Sequence, residues 1–567
     1  MDRYICIHGH FYQPPRENPW LEEVELQEDA YPYHDWNERV TAECYAPNAA
    51  SRILNSEGKI IDIVNIYSKI SFDFGPTLLS WLERHKPDVY QAILEADRLS
   101  MERFSGHGSA IAHVYNHIIM PLANRRDRYT QIIWGIKDFQ KRFRRFPEGM
   151  WLPETASDIE TLEILVNLGI KFTVLSPGQA KRTAKIETPD KWQDVSGQRI
   201  DPTTAYLCRL PSGRSINIFF YDGPISNEVS FRGLLQNGEI FARRLTGAFS
   251  DQRRRPQIVH IATDGETFGH HHRFGDMALS YCLHYIESNN LAKMTNYGEY
   301  LEKHPPAHIV EIFENSSWSC VHGVERWRSN CGCNSGKHPG WTQEWRKPLR
   351  NAMNWLRDKL IPIYEEEASK YFKNPWDARD DYIKVILDRS RENVENFLKE
   401  HAAGLFSGED KIRALKLLEI QRNAMLMYTS CGWFFDDVSG IEAVQIMHYA
   451  SKAMQYEEEL SGLSLEPEYL KYFEKAPSNV FGTAAVPYEM FVKHSRSDLL
   501  RVAAHYAMSS IFEEYPTGRT SPQDIKIFCY TARSDVYDKA EAGKLKLVTG
   551  KANIVSDITW DEKTIGF

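Results

Sequence analysis

The first half of the sequence predicts an α/β fold, and the second half predicts helices followed by a few strands. In the first 310 or so of the 567 residues, short β-branched runs alternate with amphipathic stretches, a pattern typical of a parallel sheet or barrel. Long helical patterns follow, and about the last forty residues return to strand-like alternation. We therefore expect a barrel carrying the functional site at residues 1–310, a helical domain completing its cleft at 311–475, and a helical and β region at 476–567.

Individual segments follow this alternation in order. Residues 3–10, RYICIHGH, predict a strand that ends in a polar cluster, and a helix is expected to start near Pro76. Apolar residues at a helical spacing predict a helix over 159–166, and Lys171–Leu175 predicts the next strand. PQIVHIATDGE predicts a further strand that stays apolar until it meets Asp264. Functional residues of such a fold belong at the carboxyl ends of the strands.

Charge and composition restrict the classes of partner. Lys+Arg 68 against Asp+Glu 77 gives a net charge of −9, whereas a nucleic-acid-binding protein needs a basic face. No apolar run approaches the ~20 residues of a membrane-crossing helix, and the amino terminus shows no secretory signal pattern. The nine cysteines are sparse and odd in number, as is typical of a reducing cytoplasm. We expect a cytoplasmic protein without nucleic-acid or membrane partners, and nothing in the sequence indicates its oligomeric state.

Two carboxylates lie where predicted strands end. Glu154 stands in GMWLPETA, just before a helix expected to begin near Ser157, and Asp264 stands in HIATDGETFGHHH. Glycoside cleavage needs such a pair, one carboxylate to attack or to activate water and one to protonate the leaving oxygen. Because several β-α units separate them, only a closed or strongly curved sheet brings both to one mouth. The alternative is that Glu154 caps the helix and Asp264 starts a turn, but neighbouring aromatic and histidine clusters favour catalysis.

Histidines form the second signal, because they also concentrate at predicted strand ends. A strand-end His-Gly-His can ligate zinc, as in metal-dependent deacetylases and mannosidases, whereas neutral imidazoles can hydrogen-bond sugar hydroxyls. The residues alone leave both options open. The histidines concerned are His8, His10, His107, His113, His117, His270, His271 and His272.

A Trp/Cys/Gly-rich stretch follows the predicted barrel. Its Cys-Gly-Cys pair is a weak match to the C-x₂₋₄-C spacing of zinc sites, so plain packing is our expectation, with a metal or redox pair as the other options. Its tryptophans offer a surface for stacking sugars or for joining domains. Phosphate-binding and nucleophilic-serine motifs, GxxxxGK[ST] and GxSxG, are absent. The residues concerned are Cys320, His322, Cys331, Cys333, His338, Trp318, Trp327, Trp341 and Trp345.

Five segments within about residues 1–330 stand out together. They are IHGHFYQPP, GHGSAIAHVYNHIIMPL, GMWLPETA, ATDGETFGHHH and ENSSWSCVHGVERW. In combination they resemble the motif regions of glycoside hydrolase family 57. This family has a distorted (β/α)7 barrel followed by a helical domain and acts on α-glucans with retention of configuration. Its members include amylases, 4-α-glucanotransferases, branching enzymes and pullulanases, with some α-galactosidases. The remaining part of the chain resembles an uncharacterised domain of a bacterial subgroup of the family.

The resemblance implies roles for individual residues. Glu154 matches the nucleophile and Asp264 the general acid/base, with neither metal nor cofactor required. Asp264 then needs a raised pKa, to which the charge of Glu154 contributes, and retention predicts carboxyl groups ~5–5.5 Å apart. The substrate is expected to be an oligo- or polysaccharide, with Glu266 orienting a neighbour. Expected substrate-binding residues are His10, Gln13, His117, Trp151, His270, His271 and Trp318.

Two alternative functions stay open. The barrel could carry a metal, as in α-mannosidases or polysaccharide deacetylases, with His8, His10 and either Asp264 or the run His270–His272 as ligands. The chain could also be a non-catalytic glucan-binding protein, although the presence of both Glu154 and Asp264 favours an enzyme. Hydrolysis and transglycosylation share one covalent intermediate, so the sequence does not choose between them.

Overall fold

The computed structural model describes residues 2–512 and 524–567, which form two compact units. The first consists of Met1–Pro15 and Leu26–Arg326, and the second of Arg16–Glu25 and Trp327–Phe567. The three domain boundaries expected from the sequence stay a prediction, and the part of the third domain at 513–523 lies outside the described residues.

Seven strands of the first unit run parallel and follow one another around a ring. The strands are β1 (Arg3–Phe11), β2 (Ser71–Phe74), β3 (Ala112–His113), β4 (Met150–Trp151), β5 (Phe172–Leu175), β6 (Ser215–Phe220) and β7 (Gln257–Asp264). Regular pairing joins β1 to β2 and to β7, β3 to β4, and β5 to β6. Isolated parallel bridges link β2 to β3, through Phe72 and Ala110, and β4 to β5, through Gly149 and Phe172.

The ring closes between β6 and β7. This closure consists of the hydrogen bond that the Asp222 N–H donates to the His260 carbonyl at 2.8 Å. The irregular joints make the barrel distorted, and the predicted (β/α)7 barrel is confirmed. Strand β1 is buried from Tyr4 to Phe11, as expected for a parallel strand covered on both faces.

Helices and accessory strands surround these seven strands. The helix predicted to begin near Pro76 begins there, and the helix after Glu154 begins at Ile159. The α-helices of this unit are Trp36–Val40, Ala46–Ala49, Pro76–His85, Pro87–Arg103, Arg125–Phe143, Ile159–Asn167, Gly223–Phe231, Gly238–Thr246, Gly275–Ser288 and Tyr297–Lys303. Its other strands are Ser51–Leu54, Ile60–Val64, Ala180–Lys185, Gln193–Asp194, Ala205–Arg209, Lys293–Met294 and His308–Ile312.

The second unit is mainly helical and ends in an antiparallel sheet, which confirms the predicted helical domain and terminal β portion. Its described α-helices are Arg346–Ala368, Pro375–Asp381, Ile383–Ile386, Arg391–His401, Gly408–Leu426, Cys431–Phe434, Ile441–Ser461, Glu466–Phe473, Ala485–Pro487 and Leu499–Ser510. The sheet contains Asp524–Ile527, Tyr530–Ala542, Leu545–Ser556 and Glu562–Gly566, and short strands lie at Glu17–Asn18, Glu23–Val24, Pro477–Ser478 and Gly482–Thr483. None of the helices in residues 2–512 and 524–567 combines the length and apolar character that crossing a membrane requires.

Candidate active site

Strand register brings the polar residues of the first unit to one edge of the barrel. His10 of β1 is level with Asp264 of β7 on one side and with Asp73 of β2 on the other. In the next pair of strands, His113 of β3 is level with Trp151 of β4. The carboxyl ends of parallel barrel strands meet at one face, where barrel enzymes place their active sites.

Asp73 holds two of the histidines. It is fully buried and accepts hydrogen bonds from His8 Nε2 at 3.0 Å and from His10 Nδ1 at 2.8 Å. A carboxylate only accepts, so these bonds place the ring proton of His8 on Nε2 and that of His10 on Nδ1. Burial lowers the pKa of His10 to about 3 and raises the pKa of Asp73. At neutral pH the His10 ring is therefore uncharged.

His10, His113 and His117 form a compact imidazole cluster. A nitrogen of each ring lies within 4.8 Å of the others, and His117 Nε2 donates to His10 Nε2 at 3.3 Å. Burial lowers the pKa of His113 to about 4 and that of His117 well below its usual value. His113 Nδ1 donates to the Val114 carbonyl at 2.5 Å, while its Nε2 is buried and contacts no hydrogen-bond partner in the described part of the chain. Neutral imidazoles at this spacing suit sugar hydroxyls or a transition metal.

Glu154 lies in a strained turn directly after β4. Its φ of 57° is left-handed, a conformation that costs an L-residue roughly 1–2 kcal/mol and that concentrates at functional sites. Trp318 Nε1 donates to its Oε2 at 2.9 Å, and Ser319 Oγ donates to the same oxygen at 2.5 Å. The following helix is capped by Asp158, which accepts from the Thr161 N–H at 2.9 Å. The alternative role of Glu154 as a helix cap is therefore wrong.

Asp264 ends β7 in a different environment. One side of the Asp264 side chain is exposed to solvent, while protein atoms surround the carboxyl group on its other sides and partly desolvate it. This burial raises the pKa of Asp264 to about 7, and the charges of Glu154 and Asp73 act in the same direction. The contribution from Glu154 was predicted from the sequence, whereas burial is the larger cause. The side chain makes no capping hydrogen bond to the turn that follows.

Glu266 fixes a neighbouring aromatic residue. It accepts hydrogen bonds from the Tyr12 N–H at 2.9 Å and from the Tyr45 hydroxyl at 2.6 Å. The ring of Tyr12 stacks on that of His117, with centroids 3.8 Å apart. Glu266 thus contacts two neighbouring tyrosines, and its expected role in orienting a neighbour stays a prediction. Gln13 is half-buried, and its amide donates to the Tyr12 carbonyl at 3.2 Å.

The two tryptophans of the predicted site differ in exposure. Trp151 is completely buried and stacks on His8 and His10, with centroids 4.8 and 5.1 Å away. Trp151 packs against the imidazoles, and none of its ring is exposed to a ligand. It therefore does not serve as the sugar-stacking residue that was expected from the sequence. Trp318 is half-buried and contacts Trp151 edge to face, with ring centroids 5.1 Å apart, so part of its surface stays accessible to solvent.

The remaining predicted histidines are held at the turn after Asp264 or away from the site. The N–H groups of His270 and His271 both donate to the Glu266 carbonyl. The His270 ring lies 2.5 Å from a carboxylate oxygen of Glu43, and His271 is exposed. By contrast, His107 pairs with Glu148 and Glu302.

Sequence reasoning missed Asp73 and Ser319. Asp73 is the next-to-last residue of β2, in SFDFG, and Asp264 is the last residue of β7, in HIATDGE. A carboxylate near a strand end and shortly before a glycine was the available signal. Ser319 follows Trp318 directly, but a serine beside an aromatic residue carries no signal without the fold.

A distorted seven-stranded parallel barrel with acidic and imidazole side chains at its strand ends defines a (β/α)-barrel of the kind that carries glycoside chemistry. The sequence profile of glycosyl hydrolase family 57 matches residues 5–313, and the chain belongs to this family. A second profile, described as a domain of unknown function (DUF3536), matches residues 341–567.

One similar protein is matched by sequence and two are matched by fold. A 4-α-glucanotransferase of Thermococcus litoralis is 24% identical over 264 residues, which are 44% of this chain and 36% of that protein. The match thus spans about a third of that relative's length. An exo-type maltose-forming amylase from Pyrococcus sp. ST04 has a TM-score of 0.59 at 17% identity, covering 90% of this chain and 85% of that chain. A branching enzyme from Pyrococcus horikoshii has a TM-score of 0.50 at 16% identity, covering 87% and 97%.

Proposed function

We propose that the protein is a retaining glycoside hydrolase or transglycosylase that acts on α-1,4-linked glucans by a two-carboxylate double displacement. The observation that carries this proposal is the contrast between Glu154 and Asp264 at the ends of β4 and β7. Glu154 accepts hydrogen bonds from Trp318 and Ser319 at one carboxylate oxygen, which favours its charged form. The pKa of Asp264 is raised to about 7, which favours its protonated form. A pair of carboxyl groups whose environments differ in this way supports separate nucleophile and acid roles.

In the first step, Glu154 attacks the anomeric carbon and the bond to the leaving oxygen breaks. Asp264 gives its proton to that oxygen, and a glycosyl ester forms on Glu154. In the second step, the Asp264 carboxylate takes a proton from water or from an acceptor hydroxyl, whose oxygen attacks the anomeric carbon and releases Glu154. Donors from Trp318 and Ser319 keep Glu154 oriented through both steps.

The imidazole cluster is proposed to bind the reacting sugar. Its rings are neutral, so each can donate or accept a hydrogen bond without presenting a charge to the substrate. His10 and His117 would contact hydroxyl groups, with His270 and His271 at the next turn and Gln13 beside Tyr12. Trp318 would stack on a sugar ring.

Product profiling tests this function. Purified protein is incubated with amylose and with maltooligosaccharides, beside Glu154→Gln and the exposed control Glu187→Gln. Release of glucose or maltooligosaccharides indicates hydrolysis, redistributed chain lengths indicate 4-α-glucan transfer, and new branch points indicate branching. No product from any α-glucan, with unchanged glucan binding by both variants, would overturn the proposal in favour of a binding protein. The cytoplasmic location stays a prediction.

A metal-dependent reaction is the second candidate, favoured by the nitrogen spacing of the His10, His113 and His117 cluster. This set differs from the ligands expected from the sequence, since His8 and the run His270–His272 are not part of it. Turnover that chelator removes and zinc restores, with loss of that zinc in His113→Ala, would support this candidate. Turnover that chelator leaves unchanged would exclude it.

A further inference from the structure

We propose that Cys320, His322, Cys331 and Cys333 bind one structural zinc ion. One ligand atom of each residue lies within 4.8 Å of the ligand atoms of the other three. All four residues belong to one continuous stretch of fourteen residues. The sequence spacing alone favoured plain packing for these cysteines, and the convergence of the four side chains changes that interpretation.

The donor set and its spacing fit zinc. Structural zinc sites are tetrahedral and closed, and Cys₃His is one of their common ligand sets, with Zn–S distances of about 2.3 Å. A tetrahedron of that size has ligand atoms roughly 3.8 Å apart, so the four side chains need to contract only slightly around the ion. No cysteine of the described chain forms a disulfide, so no S–S bond has to break for the thiols to coordinate a metal.

Two glycine turns in the backbone bring the four side chains together. The Gly323 N–H donates to the Cys320 carbonyl at 3.0 Å, and this turn brings His322 back beside Cys320. Gly323 has a φ of +85°, and a Cβ there would lie 2.3 Å from the Asn315 carbonyl oxygen. Gly332, between Cys331 and Cys333, has a φ of +84°. Both turns use left-handed conformations that glycine adopts without strain.

Proton and charge balance follow from the ligands. Each of the three thiols loses its proton to solvent when it coordinates, and His322 binds as a neutral imidazole. Zn²⁺ with three thiolates carries a net charge of −1. Four protein ligands leave no open position, so the ion is structural and takes no part in the reaction.

The ion would also position the proposed nucleophile, a consequence that rests on the proposed function. Cys320 follows directly after Trp318 and Ser319, both of which donate to Glu154 Oε2. The Arg326 guanidinium further holds this segment by donating to the Ser319 carbonyl at 3.1 Å. A metal that fixes Cys320 therefore fixes the residues that orient Glu154.

Elemental analysis of the full-length protein tests the site without any substrate. We expect one zinc per chain in the wild type, none in the double variant Cys331→Ser/Cys333→Ser, and one in the control Cys431→Ser. Zinc absent from wild type grown with zinc, zinc retained by the double variant, or iron or copper in its place would overturn the inference. Loss of the zinc in His113→Ala would instead place it in the imidazole cluster.

Cobalt substitution keeps the test valid if the double variant does not fold. Wild type loaded with Co²⁺ should show thiolate-to-cobalt charge transfer and the visible bands of a tetrahedral centre, and chelation should expose three further thiols to a thiol reagent. An octahedral cobalt spectrum, or no change in reactive thiols, would contradict the inference. If the wild type binds zinc but modifies no α-glucan, the proposed function fails while the metal site stands.

Discussion

The turn after β4 and the end of β7 place the same kind of group in opposite environments. At the first, Glu154 adopts a left-handed backbone conformation and receives hydrogen bonds from Trp318 and Ser319. At the second, no described residue donates a hydrogen bond to the Asp264 side chain, and burial raises the pKa of Asp264 to about 7. Donors stabilise a carboxylate, whereas burial without donors favours the protonated acid. The surroundings, not the residue type, therefore distinguish the two carboxyl groups and support the separate roles proposed for them.

Removing either carboxyl group tests this difference most severely. Glu154→Gln and Asp264→Asn should each lower turnover of amylose on the order of 10⁴-fold. With an α-glucosyl fluoride, whose leaving group needs no proton, Asp264→Asn should recover most of the first step and Glu154→Gln none of it. If both variants lost the same activity on amylose and on the fluoride, the two carboxyl groups would not have the separate roles proposed for them. Asp190→Asn, an exposed change, serves as the control.

Asp73→Asn tests whether the strand-end histidines need their shared acceptor. An amide oxygen accepts where the carboxylate did, but its NH₂ group cannot, so one of His8 and His10 must change tautomer or lose its partner. We expect kcat/KM to fall by about 10–100-fold, as when the partners that orient functional imidazoles are removed. Unchanged kcat/KM in a folded variant would show that the orientation of His10 is irrelevant.

Ser319→Ala and Trp318→Phe weaken the environment of Glu154 without removing it. A hydrogen bond to a charged group contributes about 1.5–3 kcal/mol, so each variant should lose roughly tenfold or more in kcat. KM should change little in Ser319→Ala, but it should rise in Trp318→Phe, because the smaller ring offers less surface for stacking the sugar. Ser319→Thr, which keeps the hydroxyl, should restore much of the loss. An unchanged kcat in both variants, whatever happens to KM, would mean that these side chains do not position Glu154.

The pH dependence gives the smallest and most specific effect. Because Asp264 must be protonated for the first step, that step should slow as pH rises through about 7. In Glu154→Gln the pKa of Asp264 should fall, since a neighbouring charge is gone, but stay above 3.8, since burial is the larger cause. Carbon NMR of labelled aspartate measures this directly. A return to the ordinary value would show that charge dominates over burial.

Local patterns were sufficient to predict β1, β5 and β7 and to place Glu154 and Asp264 after barrel strands. Strand β1 and the segments around Glu154 and Asp264 carry apolar runs that end in polar residues. In the structure these runs form buried strands, and the polar residues lie at or just after the strand ends. Asp73 was missed because its role depends on β2 pairing beside β1, a contact that no local pattern encodes. Trp151 was expected to stack on a sugar, but it is completely buried. The burial of a tryptophan depends on tertiary packing, which a local sequence pattern does not reveal.

The Cys320–Cys333 stretch and the second unit show the same limit. Two left-handed glycine turns bring the cysteines and His322 together, and spacing rules do not anticipate such turns. In residues 341–567 the sequence predicted helices and strands but no chemistry.

Trapping the glycosyl-enzyme intermediate tests the central claim most directly. Asp264→Asn is incubated with an α-glucosyl fluoride, which lets the first step proceed while the second lacks its base, and the protein is digested and analysed by mass spectrometry. The proposed mechanism predicts one added glucosyl unit on the peptide that contains Glu154. An unmodified Glu154 peptide in a protein that still releases fluoride, or a glucosyl unit on another residue, would contradict it.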